Sequence, residues 1–547
     1  MEVQDMPSEG AGCERVPIRL EAAVISSITL LALVIRLYLI RFHDVISVDG
    51  TSYVGTARAL AAGDIHGLSI YGFYPVLIWL ASLSGVGMET AAQLVSAVMG
   101  GLLVIPLYLL GAEMFSRRTA LAACLVAAVW PSLVGWSCEV MTQATYITLA
   151  VTGAYFAWTM VKRPSPARGF AAGAYLALAF LTRPEGFLLF FVIPLAPLVM
   201  RRRELGVLWR TLAIYGGSFL FLFVLNAVLV HHVTGMWQMS AKTGSALNDA
   251  LSYYLHMPDM NYVPGARVYG YLDLLKRYPD FVWANSIKNL REVVRTLLPI
   301  PLWGLALTGF LAGGFKPGKK NMPRLFLLST FAPLFVIIVF YYASLEYTQE
   351  YLPVLFLWAG EGCCRLERLV AGRIPAFRVG KREKWLAHAP LTLVITVIFA
   401  GSVLLKQIPS NAAPVPYDPE SDGGRRDQKN IGLLLKENLP PGKIMTRWAR
   451  LAYYAERDWT TIPKTGLEEI IRAARENGVR FIVVDGGLQR LRPGLGPLFD
   501  PFKIDDGTRQ VLLITPDNGL LEDTGLRPYL FYLDPSSMGV AIYEVTG

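Results

Sequence analysis

The chain has 547 residues, of which 53% are hydrophobic and only 17% are charged, and its mean hydropathy is +0.41. Soluble domains contain about 45–50% apolar and about 25% charged residues, so this composition argues against a cytoplasmic enzyme and indicates a membrane protein. The net charge of +9 lies in short basic clusters between apolar runs, which suits loops facing an anionic membrane surface rather than nucleic acid. The five cysteines show no CxxC or Cys/His spacing, so neither a disulfide scaffold nor a zinc site is indicated.

Eleven apolar runs are long enough to cross a bilayer, which takes about 20 helical residues. The runs are 20–40, 88–114, 118–136, 142–161, 168–182, 184–200, 210–231, 292–314, 324–344, 351–368 and 389–407. The shorter apolar segment 71–85 contains a proline and is interpreted as an interfacial or re-entrant helix. The predicted fold class is therefore mainly α, a polytopic membrane protein with about 11 transmembrane helices.

Basic residues are concentrated in alternate loops between these runs. The loop RLERLVAGRIPAFRVGKREK alone contains seven Lys and Arg, whereas the loops at 137–141 and 345–350 contain none. The positive-inside rule then places the N-terminus and the basic loops in the cytoplasm. With an odd number of spans, everything after about residue 408 lies on the outer face of the membrane.

The composition becomes ordinary after residue 408. Helical patterns (KNIGLLLKENL and TGLEEIIRAARENG), an extended KIMTRW and the strand-like RFIVVD, VLLIT and GVAIYEV predict an outer α/β domain over 409–547, following a membrane domain over 1–408. The turn Asp485-Gly486-Gly487 lacks the spacing of a phosphate-binding loop and is interpreted as a simple turn. The outer segments 41–87 and 232–291 are too long to be simple connections, so they are expected to be functional.

The first outer segment contains the sequence HDVISVDGTSYVGTARALAAGD. Tyr53, Ala57 and Leu60 recur at helical spacing, which predicts a short amphipathic helix at the membrane interface. Asp49 lies just before it. One interpretation makes Asp49 the N-cap of this helix, and the other makes it a general base at the lipid–water boundary, where a carboxylate pKa rises. The two roles are compatible.

Two further turns on the same side of the membrane contain charged residues. Glu139 lies among apolar neighbours in GWSCEVMTQATY and is interpreted either as a solvated turn residue or as a second catalytic carboxylate. In LTRPEG, Arg183 and Glu185 separate two apolar runs, and ionisable groups at this depth usually face a partner or a cavity. They either form a mutual ion pair that joins two helix ends, or Arg183 binds a phosphate through its bidentate guanidinium.

Weaker candidates lie elsewhere on the outer face. Glu346 and Tyr347 in SLEYTQEYLP and Tyr53 in the first loop are expected to line a pocket, and Arg58 is the second expected phosphate contact. The sequence contains no HExxH, Walker A or GxSxG motif, so the common metalloprotease, ATPase and hydrolase signatures are absent and no metal ligand set is predicted.

The sequence resembles the GT-C superfamily of polytopic glycosyltransferases, in the branch of the protein O-mannosyltransferases and the lipid A aminoarabinose transferase. The likeness rests on VDGTSYVGTARALAAGD, CEVMTQATYITLAVTGAYFAW, LALAFLTRPEGFLLF, EYLPVLFLWAGEG, KENLPPGKIMTRWARLAYYAERDW and ARENGVRFIVVD. The family's catalytic Asp in the first outer loop corresponds to Asp49. Many relatives have an acidic residue where Gly50 stands, and others have one near Gln143, so this chain departs from the family pattern at both positions.

The resemblance implies an enzyme that transfers a sugar from a polyprenyl-phosphate donor to a lipid, glycan or protein acceptor by an inverting displacement. Asp49 would accept the acceptor's proton, and Arg183 would stabilise the departing phosphate. The resemblance also favours the inner membrane of a bacterium, with the site facing the periplasm. The alternatives are a transporter or lipid flippase, a glycan polymerase or ligase, and a scaffold without activity.

Overall fold

The protein is mainly helical in the computed structural model. The residues that the structure describes are 18–195, 205–237, 251, 271–311, 321–340, 345–373, 422–463, 465–488, 492, 494–496, 498–499, 512–514, 525–533 and 539–546. The predicted span 389–407 lies outside these residues, as does the middle of the predicted outer segment 232–291, over 238–250 and 252–270.

The first part of the chain forms eleven of the described helices. They are α1 Ile18–Ile40, α2 Val48–Ala61, α3 Leu68–Tyr71, α4 Phe73–Ser82, α5 Met88–Leu102, α6 Val104–Met114, α7 Arg117–Val129, α8 Pro131–Cys138, α9 Gln143–Lys162, α10 Pro166–Thr182 and α11 Glu185–Val192. The amphipathic helix predicted around residue 53 is α2, and the apolar segment 71–85 forms the short helix α4.

The remaining described helices are divided between the bundle and the C-terminal part of the chain. They are α12 Leu205–Thr234, α13 Tyr271–Arg277, α14 Pro279–Leu297, α15 Ile300–Leu311, α16 Met322–Phe340, α17 Leu345–Thr348 and, after the 3-10 turn Gln349–Tyr351, α18 Leu352–Arg373. Three more follow, α19 Asp422–Asn438, α20 Ala449–Tyr454 and α21 Leu467–Glu476.

Four of the described helical segments are long and apolar enough to span a membrane, and six are if each of two bent pairs counts as one span. The first bent pair, α7 and α8, turns by 52° at Trp130–Pro131, and the second, α14 and α15, turns by 93°. The sequence predicts one continuous helix over 292–314, but the helix breaks before Pro299, because proline has no amide hydrogen and disfavours helical geometry in the residue before it. Outward side chains such as Phe221, which is 65% exposed, suit contact with lipid.

The bent pair α7 and α8 is held by a buried arginine of α1. Pro131 and the extended Trp130 interrupt the helical ladder, so the carbonyl of Ala128 loses its partner within the helix. Arg36, only 1% exposed, donates from Nη1 to that carbonyl at 3.0 Å and from Nε to Ser137 Oγ at 2.8 Å. Gly100 of α5 permits this contact, because a Cβ there would lie 2.9 Å from Arg36 Nε. The bend therefore has a fixed position relative to α1.

The C-terminal part contains a six-stranded mixed sheet with strand order β2-β1-β3-β6-β5-β4. The strands are β1 Lys443–Met445, β2 Trp459–Thr460, β3 Val479–Asp485, β4 Leu512–Ile514, β5 Leu526–Leu533 and β6 Val540–Val545. The first three are parallel, and β3–β6, β6–β5 and β5–β4 are antiparallel. The predicted strands correspond to β1, β3, β4 and β6. Apolar clusters lie on both faces, one including Phe481 and Val483 and the other Ile482 and Val484, which explains the continuous apolar run of β3.

Candidate functional site

Helix α2 places Asp49 in its first turn, and Ser47 is the N-cap. The Ser47 hydroxyl accepts from the amide of Gly50 at 3.0 Å and donates to the carbonyl of Val140 at 2.9 Å. The interpretation of Asp49 as the cap is therefore wrong, because Ser47 satisfies the helix terminus, and half-buried Asp49 lies one residue into the helix. The contact with Val140 fixes the start of α2 on the segment that follows α8.

Gly50 has a structural reason to differ from the acidic residue of many relatives. A Cβ at this position would lie 2.7 Å from Ser47 Oγ, 2.8 Å from Ile46 Cγ1 and 3.0 Å from Val140 Cβ. Each distance is shorter than an ordinary van der Waals contact, so no carboxylate side chain fits beside Asp49 in this arrangement.

Tyr53 anchors α2 in the bundle. It is only 5% exposed, and its ring lies edge-to-face against Tyr74 of α4, with the centroids 5.4 Å apart. The Tyr74 hydroxyl is 2.6 Å from Ser96 Oγ of α5. Tyr53, which the sequence predicts to line a pocket, lies in the packing beneath α2.

Glu139 connects the bundle to the C-terminal part of the chain. It caps the C-terminus of α8, and its carboxylate lies 3.3 Å from Arg425 Nη1 of α19 and 3.8 Å from His43 Nδ1. Its side chain is 16% exposed, so it is partly shielded rather than free in water. This ion pair gives Glu139 a clear role in joining two regions, whatever its part in chemistry.

Arg183, at the end of α10, is the centre of a buried polar cluster inside the helical bundle. Its Nη2 donates to Glu185 Oε1 at 3.2 Å, and its Nε lies 3.6 Å from Glu350 Oε1. Nη1 donates to Thr142 Oγ1 at 3.3 Å, and the guanidinium lies 4.9 Å from the ring centroid of Tyr347. The predicted Arg183–Glu185 pair is present, and Tyr347 joins it. Because Arg183 is only 7% exposed, its positive charge is largely removed from water, and these carboxylates offset the cost of burying it.

Several polar atoms beside Arg183 are buried without a hydrogen-bond partner among the described residues. They are both amide atoms of Gln143, the hydroxyl of Tyr146 and Glu185 Oε2. Tyr146 and Glu350 also line a mostly apolar cavity of about 40 Å³ between α9, α16 and α18. We name the polar residues Gln143, Tyr146, Arg183, Glu185 and Glu350 the bundle pocket; of these, Tyr146 and Glu350 line the cavity itself. Burying a polar atom without a hydrogen-bond partner costs free energy, and a polar ligand can supply the missing hydrogen bonds.

The structure separates the two arginines that the sequence assigns to one phosphate. Arg58 lies on the exposed face of α2, where it donates to the Tyr453 hydroxyl at 3.2 Å and lies 4.7 Å from the centroid of that ring. Arg183 lies in the bundle pocket. Glu346 belongs to α17, but its side chain lies outside the described part of the structure.

A second set of polar residues, which the sequence did not single out, joins the segment before α2 to α20. The Tyr454 hydroxyl accepts from the amide of Ile46 at 2.8 Å and donates to Glu89 at 3.0 Å. Arg450, 1% exposed, donates to the carbonyl of Ile46 at 2.8 Å and to Gln428 Oε1 at 3.3 Å. Burial and the Glu89 carboxylate raise the pKa of the Tyr454 hydroxyl above its ordinary range. We name these five residues the domain joint.

No cluster of potential metal-ligating side chains is found among the described residues. In that part of the chain, no group of three or more His, Cys, Asp or Glu side chains is arranged to hold a metal ion. The four described cysteines, Cys124, Cys138, Cys363 and Cys364, form no disulfide with one another.

The chain is similar to known proteins in sequence over residues 73–231 and in fold over most of its length. Residues 73–231 match the family model described as dolichyl-phosphate-mannose-protein mannosyltransferase. No curated protein matches the chain in sequence. Among solved structures, the oligosaccharyltransferase of Archaeoglobus fulgidus in its apo form is similar, with a TM-score of 0.56 and 14% identity over 88% of this chain and 71% of that one.

Two further structures were solved with ligands. ArnT from Cupriavidus metallidurans bound to undecaprenyl phosphate has a TM-score of 0.54 and 14% identity over 96% of this chain and 97% of that one. The Archaeoglobus fulgidus oligosaccharyltransferase AglB in complex with an inhibitory peptide and a dolichol-phosphate has a TM-score of 0.54 and 14% identity, covering 88% and 71%. The predicted resemblance is confirmed: this integral membrane protein resembles GT-C membrane glycosyltransferases in fold over nearly its whole length and protein mannosyltransferases in sequence over residues 73–231.

Proposed function

We propose that this protein is a membrane glycosyltransferase that moves a sugar from a polyprenyl-phosphate donor to a lipid, glycan or protein acceptor at the outer face. The observation that carries the proposal is the likeness in fold, over 96% of the chain, to ArnT bound to undecaprenyl phosphate. The match of residues 73–231 to the mannosyltransferase model supports the same reaction class. The positive-inside pattern favours a site on the outer face, and the resemblance to the lipid A aminoarabinose transferase favours a bacterial inner membrane, in which that face is the periplasmic one.

Asp49 is the proposed general base. The acceptor hydroxyl or amine attacks the anomeric carbon, the new glycosidic bond forms, and the bond from that carbon to the phosphate oxygen breaks with inversion. The proton of the acceptor passes to the Asp49 carboxylate, and the polyprenyl phosphate leaves with its electron pair. Capping by Ser47 and its bond to Val140 support this role, because they fix the backbone that carries Asp49.

Arg183 is the proposed contact to the donor phosphate. A guanidinium binds phosphate oxygens through two parallel hydrogen bonds, and a phosphate can replace the Glu185 carboxylate at Nη2. Gln143 and Tyr146 then supply further donors from buried positions that have no partner among the described residues. Stabilising the charge on the leaving phosphate is the main electrostatic task of this reaction. Arg58 lies on the exposed face of α2 beside Tyr453, apart from the partners of Arg183, so we assign the donor phosphate to Arg183 alone.

The test is transfer of radiolabel from a panel of polyprenyl-phosphate sugars into lipid and protein acceptors, using membranes that contain wild-type protein or Asp49→Asn. The amide keeps the shape of the side chain but accepts the proton poorly, so we expect transfer to fall by about 10²–10⁴-fold. The matched control is Asp64→Asn, because exposed Asp64 accepts from the amide of His66 at 2.9 Å and asparagine can keep that bond.

Three outcomes of this assay distinguish a glycosyltransferase with Asp49 as its base from one with another base and from a transporter or lipid flippase. Transfer by wild type and Asp64→Asn but not by Asp49→Asn supports both the enzyme class and the base. Equal transfer by all three overturns the assignment of Asp49. No transfer from any donor, with folded protein, contradicts the glycosyltransferase and favours a transporter or a lipid flippase.

A further inference from the structure

A polar cleft lies between α2 and the C-terminal part of the chain. It has a volume of about 730 Å³, within the range of about 300–1,000 Å³ typical of small-molecule sites. Ser52 and Arg58 line it from α2, and Tyr453, Glu456, Asp458 and Trp459 line it from the opposite side. We name these six residues, together with the lining residue Arg457, the interdomain cleft. Boundaries between domains are preferred places for ligand sites.

We propose that the interdomain cleft binds the saccharide part of the acceptor, an inference that rests on the proposed glycosyltransferase function. The cleft lies on the same helix as Asp49, because Ser52 follows Asp49 by three residues and therefore lies one helical turn away. An acceptor seated here would have its reactive group next to the proposed base.

The side chains of the cleft suit a polyhydroxylated ligand. Arg58 and Arg457 contribute two positive charges and Glu456 and Asp458 two negative charges, so the lining is polar but close to neutral. A lipid tail would find few apolar contacts in this polar lining. Sugar hydroxyls both donate and accept hydrogen bonds, which matches neighbouring cations and carboxylates.

The cleft also contains an aromatic side chain, Trp459, against which a sugar ring can pack. Trp459 is 40% exposed at the edge strand β2, so its indole is available to a ligand. A tryptophan face packs against the apolar C–H face of a sugar ring while the hydroxyls remain free for polar contacts. The cleft therefore offers both an apolar platform and polar partners.

The cleft walls are held in place before any ligand binds. Tyr453 receives a hydrogen bond from Arg58 and donates to Glu89 Oε2 at 3.3 Å. Glu456 adopts a left-handed backbone conformation, with φ of 51°, and its carboxylate is paired with Lys436 at 2.9 Å. Strained backbone of this kind persists only where the surrounding structure supports it. A rigid wall loses little freedom on binding.

The binding test uses saturation-transfer NMR with methyl glycosides of glucose, mannose, galactose and N-acetylglucosamine as probes. The full chain is placed in lipid nanodiscs, because maltoside detergents carry a competing sugar. We expect a signal from at least one glycoside with wild type, and Trp459→Ala should raise its Kd about tenfold. Trp283→Ala is the control, since Trp283 is 67% exposed and does not line the cleft.

The transfer assay separates this proposal from the proposed function. We expect Trp459→Ala to raise the acceptor KM about tenfold while the donor KM stays constant, because only acceptor binding is weakened. Wild-type transfer with an unchanged acceptor KM in Trp459→Ala overturns the cleft assignment and leaves the glycosyltransferase standing. Glycoside binding that Trp459→Ala weakens, without transfer from any donor, supports the saccharide site and contradicts the enzyme. No glycoside signal with wild type overturns the saccharide site.

Discussion

The bundle pocket and the domain joint are both buried and polar, but their hydrogen bonds differ. At the joint, Arg450 and Tyr454 bond to the backbone of Ile46, to Gln428 and to Glu89. In the pocket, the amide of Gln143 and the hydroxyl of Tyr146 have no partner among the described residues. Polar groups whose hydrogen bonds are satisfied hold one geometry. Buried groups without partners are stabilised when a polar ligand forms hydrogen bonds with them. The joint is therefore a fixed connection, whereas the bundle pocket is the ligand site that we propose.

The largest expected effect comes from removing the charge at the centre of the bundle pocket. Arg183→Leu leaves the buried carboxylate of Glu350 and the half-buried carboxylate of Glu185 without their cation, and breaking a buried ion pair costs about 3–5 kcal/mol of unfolding free energy. Arg183→Lys keeps the charge and should cost less, but it loses the bidentate geometry and should weaken donor binding. Denaturant unfolding in detergent micelles measures the first effect, and equal stability of Arg183→Leu and wild type would contradict the pairing.

A matched pair of glutamine variants separates the two regions directly. Gln428→Leu removes the acceptor of Arg450 at the joint and should lower the unfolding free energy by about 1–3 kcal/mol, because it leaves a buried donor unsatisfied. Gln143→Leu removes a buried amide whose polar atoms have no partner among the described residues, so it should change stability by less than about 0.5 kcal/mol or increase it.

The effects of the same two variants on donor binding should be in the reverse order of their effects on stability. Gln143→Leu should weaken binding of undecaprenyl phosphate, and Gln428→Leu should leave it unchanged. If both variants lost the same stability and the same affinity, the distinction between pocket and joint would fail.

The smallest expected effect concerns the cap of α2. Ser47→Ala removes an N-cap and should destabilise α2 by about 1 kcal/mol. Hydrogen exchange of the amides at residues 48–52 should accelerate, and transfer should fall because Asp49 is no longer fixed. Ser84→Ala is the control, as exposed Ser84 bonds only locally, to the carbonyl of Ala81. Unchanged exchange in Ser47→Ala would show that the cap does not hold this turn.

Local features of the fold were predictable because they depend on local spacing. The apolar periodicity around Tyr53 predicted α2, and the apolar run before Asp485 predicted β3. Strand β5 was not predicted, since Pro528 lies within it and proline usually marks a strand end. The ladder accommodates this residue by a shift of register between Pro528 and Leu530.

The site was predictable only in part, for a similar reason. Arg183 and Glu185 are two residues apart, so their pairing could be inferred from the chain. Glu139 pairs with Arg425, which is 286 residues away, and this contact depends on how the C-terminal part docks. Glu350 meets Arg183 in the same way, through helix packing that no sequence motif specifies.

We propose that the bundle pocket binds the phosphate of a lipid-linked donor. A cryo-electron microscopy structure of the wild-type protein in nanodiscs with undecaprenyl phosphate tests this most directly. We expect phosphate density about 3 Å from the Arg183 guanidinium, with the Glu185 carboxylate displaced from Nη2. Phosphate density bound elsewhere, with Arg183 still paired with Glu185 and Glu350, would contradict it.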